Sequence, residues 1–136
     1  MKSCLVVDDS KIIRKVARRI LEELNFDIKE AVDGQDALDN CKGSMPDVVL
    51  LDWNMPVMNG FEFLDHIRKD KKLNNTVVFI LTTSNEDNDR TRAYHNNVAG
   101  YMVKHAIGPQ FAKLTTLMDM IVVIRYSLML PRNYKS

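Results

Sequence analysis

The stretch Leu5-Val6-Val7-Asp8-Asp9, read beside Val48-Val49-Leu50-Leu51-Asp52, decides the fold. Each is a short, unbroken apolar run that stops at an acid. Buried strands of a parallel sheet read this way because both of their faces are covered. An acid just past each strand brings the carboxylates to one edge, where open α/β sheets bind their ligands. Crowded carboxylates repel, by about 4 kcal/mol for a pair roughly 4 Å apart at moderate dielectric. A hard divalent cation relieves that repulsion, and Mg2+ prefers oxygen ligands and retained waters. The sequence therefore predicts an acidic metal pocket.

Outward from these two runs, strand and helix patterns alternate along the chain. Ser3–Val7 is the first strand, and Ser10 caps a helix with apolar positions Ile13, Val16, Ile20 and Leu24 at helical spacing. Phe26–Ala31 is a shorter, more polar strand suited to a sheet edge. Asp33-Gly34 punctuates the chain before a helix carrying Ala37, Leu38 and Cys41, and Pro46 precedes the Val48–Leu51 strand. Phe61, Phe63, Leu64 and Ile67 mark the next helix, with the charged stretch 68–72 as its solvated end. Thr76–Leu81 (TVVFIL) is the most strand-like segment. Residues 85–97 form a marginal helix, Ala99–Val103 a last strand and 109–128 a last helix. Five strands alternating with five helices imply a doubly wound α/β fold with helices on both faces of a parallel sheet.

A chain of 136 residues suits one domain, taken as 1–130 with a tail at 131–136. At 46% hydrophobic and 27% charged it is globular in composition. A net charge of +1 gives no electrostatic case for nucleic acid or an acidic membrane surface. Cys4 and Cys41 lack metal or disulfide spacing and read as reduced, buried thiols. With a strand expected within three residues of the first, no signal peptide is expected. Lys113, Asp119 and Arg125 interrupt the apolar segment 111–130, which argues against a membrane span. The expected location is the cytoplasm.

The same sheet edge collects further chemistry. In DWNMPVMNG (52–60), Asn54 stands two residues past Asp52, Pro56 stiffens the loop and Gly60 is expected to permit a tight turn. TVVFIL ends in Thr82-Thr83-Ser84, and Lys104 ends the last strand. A carboxylate nucleophile, a cation beside phosphoryl oxygens and a lysine are what phosphoryl transfer requires. Taken singly, Asp8 or Asp9 would be a helix N-cap, Thr83 and Ser84 local capping residues, and His66 and His95 solvated or packed helix residues. Trp53 is expected to border the pocket.

VVDDS (6–10), LLDWNMPVMNG (50–60), LTT (81–83) and GYMVK (100–104), in that order, resemble the response-regulator receiver family, the CheY-like domains of two-component signalling. Members of this family have the flavodoxin-like topology, so the resemblance implies the strand order 2-1-3-4-5. It further implies Asp52 as phosphoacceptor for a phosphohistidine on a sensor histidine kinase or phosphotransfer protein. Asp9, Asp52 and the backbone carbonyl of Asn54 would hold Mg2+, with Asp8 assisting through water. Thr82 and Lys104 would each bind a phosphoryl oxygen, and Tyr101 would turn inward as Thr82 moves, a population shift between existing states. Output would pass to a downstream protein through contact, without a DNA-binding or enzymatic domain. The receiver would catalyse its own phosphorylation and slow dephosphorylation and would not be an enzyme by role.

The chain departs from the family at His105, which follows Lys104 where most receivers have proline. A cis bond there would cost about 2.5–4 kcal/mol. The second half, with TTSNEDNDRTRAY and VAGYMVK, looks more like receivers serving phytochrome-type kinases, the first half more like chemotaxis-type receivers. The last helix, about 107–129, is apolar on more than one side, from which a homodimer through it is expected. Two other readings stand beside this one. A phosphorylation-independent adaptor would need none of Asp9, Asp52, Thr82 and Lys104. An aspartate-nucleophile phosphatase would need a general acid where Asn54 stands.

Overall fold

The apolar runs before the two acids are adjacent strands at the centre of a five-stranded parallel sheet ordered β2-β1-β3-β4-β5. The computed structural model describes residues 3–23, 25–74, 76–82 and 87–103. In chain order these are β1 (Ser3–Val7), α1 (Lys11–Glu23), β2 (Asp27–Ala31), α2 (Gly34–Gly43), β3 (Val48–Leu51), α3 (Gly60–Lys69), β4 (Val77–Thr82), α4 (Asp87–His95) and β5 (Gly100–Val103). The expected doubly wound α/β fold and its strand order are present, with the polar β2 at the edge. The expected last helix, the tail 131–136 and the dimer contact lie outside the described residues.

Strand residues alternate between two cores, as a pleat requires. Leu5, Val7, Val49, Leu51, Val78 and Ile80 pack with Ala37, Cys41, Phe63, Leu64 and Ile67 of α2 and α3. Cys4, Val6, Val48, Leu50 and Phe79 face the other way, against Ala17 and Leu21 of α1. Both thiols are buried, and burial pushes Cys4 up to about 12 and Cys41 to about 11. Among the described residues no helix is long and apolar enough to cross a membrane.

Element ends differ by a residue or two from expectation, for local reasons. Phe26 stays outside β2 because its N–H donates to the Leu21 carbonyl (3.0 Å), and Asn25 before it is left-handed at φ 64. That pair closes α1 in the usual way for a helix C-terminus. Thr76 is buried just before β4, its hydroxyl donating to the Pro46 carbonyl at 3.2 Å. The stretch 68–72 is not uniformly solvated. Lys69, Asp70, Lys71 and Lys72 are exposed, but Arg68 is half-buried and donates to the carbonyls of Asn96 (2.7 Å), Thr76 (2.9 Å), Asn74 (3.0 Å) and Asn97 (3.1 Å).

An ion network ties α1 to the edge strand. Arg18 Nε lies 2.7 Å and Arg14 Nε 3.1 Å from the two carboxylate oxygens of Glu30. The hydrogen bond and charge of Arg18, helped by Arg14, hold Glu30 below its ordinary value against the opposing effect of burial. A depressed folded-state value means the contribution is present above the unfolded value and lost on acidification. Glu30→Gln is therefore expected to lower the urea midpoint at pH 6. The gap to wild type should close as pH falls from the ordinary glutamate value of 4.5 through the depressed one. Urea titrations across that range check it, and a pH-independent gap would contradict it.

Candidate functional site

Parallel pairing in register is what assembles the acidic edge. Val7 pairs with Leu51 and Leu51 with Ile80, so β1 and β3 end side by side and β4 runs two residues beyond them, to Thr82. Asp8 and Asp52 are the next residues on their strands, joined where the Asp52 N–H donates to the Val7 carbonyl at 2.9 Å. Asp8 and Asp52 are buried at 3% and 6% exposure, while Asp9 is exposed. One carboxylate oxygen from each of the three lies within 4.8 Å of the others. Two buried carboxylates and a third at the mouth form an all-oxygen donor set, which fits a hard divalent cation such as Mg2+.

The neighbouring backbone fixes these acids. Asp8 N–H donates to the Ala31 carbonyl (3.1 Å), and the Asp8 carboxylate accepts from the Ser10 N–H (2.8 Å). Arg14, already paired with Glu30, donates through Nη1 to the Asp8 carbonyl at 2.7 Å. Ser10 also accepts from the Ile13 N–H at 3.4 Å, a long capping contact at the start of α1.

The loop after Asp52 is held at several points. Asn59 caps α3: its side chain accepts from the Glu62 N–H (2.9 Å), and Glu62 accepts in return from the Asn59 N–H (3.2 Å). Gly60 N–H donates to the Trp53 carbonyl at 2.9 Å, and Gly34 N–H to the Met58 carbonyl at 2.8 Å. Trp53 is buried in the core shared by α2 and α3, and its ring meets Phe61 edge-on at 5.8 Å.

The left-handed residue of this loop is Val57, at φ 68, rather than Gly60. The Met58 N–H donates to the Pro56 carbonyl at 2.7 Å across it, a three-residue turn. A side chain at positive φ costs about 1–2 kcal/mol, and a β-branched one is the least suited. Val57 is 82% exposed, so its side chain offsets little of that through burial. Val57→Gly is expected to raise stability by about 1 kcal/mol, net of the added freedom of glycine in the unfolded chain. A higher urea midpoint at unchanged m-value is the check.

The other expected site residues are placed less fully. Asn54 is exposed on the loop two residues past Asp52. Thr82 is the last residue of β4 and pairs with Val103, which puts it at the same end of the sheet. Tyr101 pairs with Ile80 on β5. Thr83, Ser84, Lys104 and His105 lie outside the described residues. His66 and His95 are exposed on α3 and α4, as expected.

A model of the response regulator receiver domain family matches residues 4–116. Chemotaxis protein CheY-3 of Vibrio cholerae is 37% identical over 101 residues, which are 74% of this chain and 78% of that protein. The structure of chemotaxis response regulator CheY4 of Vibrio cholerae is similar at a TM-score of 0.73 and 32% identity, covering 88% of this chain and 98% of that one. The phosphorylated cyanobacterial phytochrome response regulator RcpA is similar at a TM-score of 0.77 and 26% identity, covering 90% of each chain.

Proposed function

The chain belongs to the response regulator receiver family, and from that membership we propose that it accepts a phosphoryl group on Asp52 from a histidine kinase or phosphotransfer protein. The observation that carries this reading is the meeting of Asp8, Asp9 and Asp52 within 4.8 Å at the carboxyl edge of the sheet. A carboxylate oxygen of Asp52 attacks phosphorus, and the donor's imidazole nitrogen leaves. Asp8, Asp9, Asp52 and the Asn54 carbonyl would hold Mg2+, which supplies the positive charge that lets a carboxylate approach a phosphoryl group. Thr82 and Lys104 are the proposed partners of phosphoryl oxygens, and Tyr101 the residue that follows Thr82.

The phosphorylated relative RcpA supports the chemistry by likeness. Output is by contact with a downstream protein, and turnover of a free substrate is not the role. A second copy meeting the apolar segment at about 107–129 is the proposed assembly, and the cytoplasm the proposed location.

Intact-protein mass after incubation with acetyl phosphate and Mg2+ tests the reading. Wild type is expected to gain one phosphoryl increment, lost in Asp52→Asn and on chelation of the metal. No increment in wild type would sink it and favour an adaptor that works without phosphorylation.

A further inference from the structure

Among the described residues, α4 offers few apolar side chains to the core. Of its described side chains, 88–95, Ala93 alone is buried, whereas α3 buries Phe63, Leu64 and Ile67. Elements with few buried apolar groups lie at the low end of local stability. Two arginines add contacts at this end of the molecule. Arg68 reaches from α3 to the carbonyls of Asn96 and Asn97, just beyond the end of α4. Arg92 reaches from α4 to α3, its guanidinium carbon 3.6 Å from the centroid of the Phe61 ring.

The same ring meets Trp53 at 5.8 Å and an interplanar angle of 64°. Trp53 directly follows Asp52, and its carbonyl accepts from Gly60 at the start of α3 (2.9 Å). One aromatic ring therefore touches both a cation of α4 and the indole of Trp53, the residue that follows Asp52. We propose that Phe61 couples the docking of α4 to the setting of Trp53, with Arg92 as the positioning residue.

α4 cannot draw away from α3 without releasing the ring, and a released ring no longer restrains the indole. Coupling of this kind is reciprocal, so a change at the Asp52 loop biases α4 as strongly as α4 biases the loop. Its signalling meaning rests on the phosphoacceptor reading, but the coupling belongs to the unmodified protein and is tested there.

The chain has one tryptophan, so fluorescence reports Trp53 alone. Full-length Arg92→Met, Arg92→Lys, Phe61→Leu and the Arg92→Met/Phe61→Leu pair would be compared with wild type, without a phosphodonor. Arg92→Met should speed amide exchange across 87–95 about two- to five-fold, the factor equivalent to an exposed cation–π contact of about 0.5–1 kcal/mol. Acrylamide quenching of Trp53 should rise with it. Arg92→Lys keeps a cation near the ring and should return both readouts toward wild type. In the Phe61→Leu background, Arg92→Met should change neither. Faster exchange in α4 with wild-type quenching would overturn the proposal, because the contact would then hold the helix without reaching the indole. Unchanged exchange would overturn it too. Phosphoryl uptake measured by mass on the same proteins judges the Asp52 reading separately, while exchange and quenching alone decide the coupling.

Discussion

Replacing Gly60 with alanine is expected to cost about 2–3 kcal/mol of stability and most of the reactivity of Asp52. Gly60 is buried at the first position of α3. A Cβ added there would press on the Asp52 carbonyl oxygen and lie 2.9 Å from the Trp53 Cα. Both obstacles are backbone, so no side chain can turn aside to make room. Alanine gains about 1 kcal/mol over glycine as a helix former, which is smaller than the clash. Relief requires the Asp52–Trp53 peptide to move, and the carboxylate moves with it. A lowered urea midpoint together with slowed phosphoryl uptake from acetyl phosphate is the expected pair. A wild-type midpoint would show that the loop gives way freely.

Arg68→Ala is expected to cost about 3–4 kcal/mol, because charged hydrogen bonds carry about 1.5–3 kcal/mol each and do not add fully. The side chain donates to four backbone carbonyls, those of Asn74, Thr76, Asn96 and Asn97. They belong to the connection into β4 and to the end of α4. Burial lowers the guanidinium from its ordinary value, but arginine stays charged at any working pH. Arg68→Lys keeps the charge and loses the planar fork, so it should recover less than half of the loss. Urea midpoints rank the three proteins. Faster amide exchange at 76–78 and 87–97 in Arg68→Ala would locate the damage, and exchange confined elsewhere would contradict it.

Much of this architecture could be read from the sequence because burial on both faces leaves a plain mark. Leu5–Val7 and Val48–Leu51 had to be central strands, since no half-exposed strand tolerates such a run. The acids that end them meet for the same reason: register in a parallel sheet carries equivalent positions to one edge. Gly60 was legible as a special position, but for the wrong cause. It answers a close approach of backbone, and the turn falls at Val57. Asn59 with Glu62 three residues on is a capping-box signature that the glycine beside it obscured. Arg68 left no local signal at all. Its partners are main-chain carbonyls up to 29 residues away, and an arginine at the head of a charged run reads as solvated. Arg92 over Phe61 is hidden likewise, because α4 has no apolar period to show which side it presents.

The edge position of β2 has a bearing on how the protein behaves in crowded solution. An outermost strand displays unpaired N–H and C=O groups that can template a neighbouring sheet. Here that strand is five residues long and reads Asp27-Ile28-Lys29-Glu30-Ala31, with Asp27 and Lys29 exposed. A second sheet approaching this border would have to strip water from both signs of charge, with Glu30 already clamped by Arg14 and Arg18. Among the described residues, the border is thereby guarded against fibril-like growth by charge placement, with no covering helix and no proline in the strand.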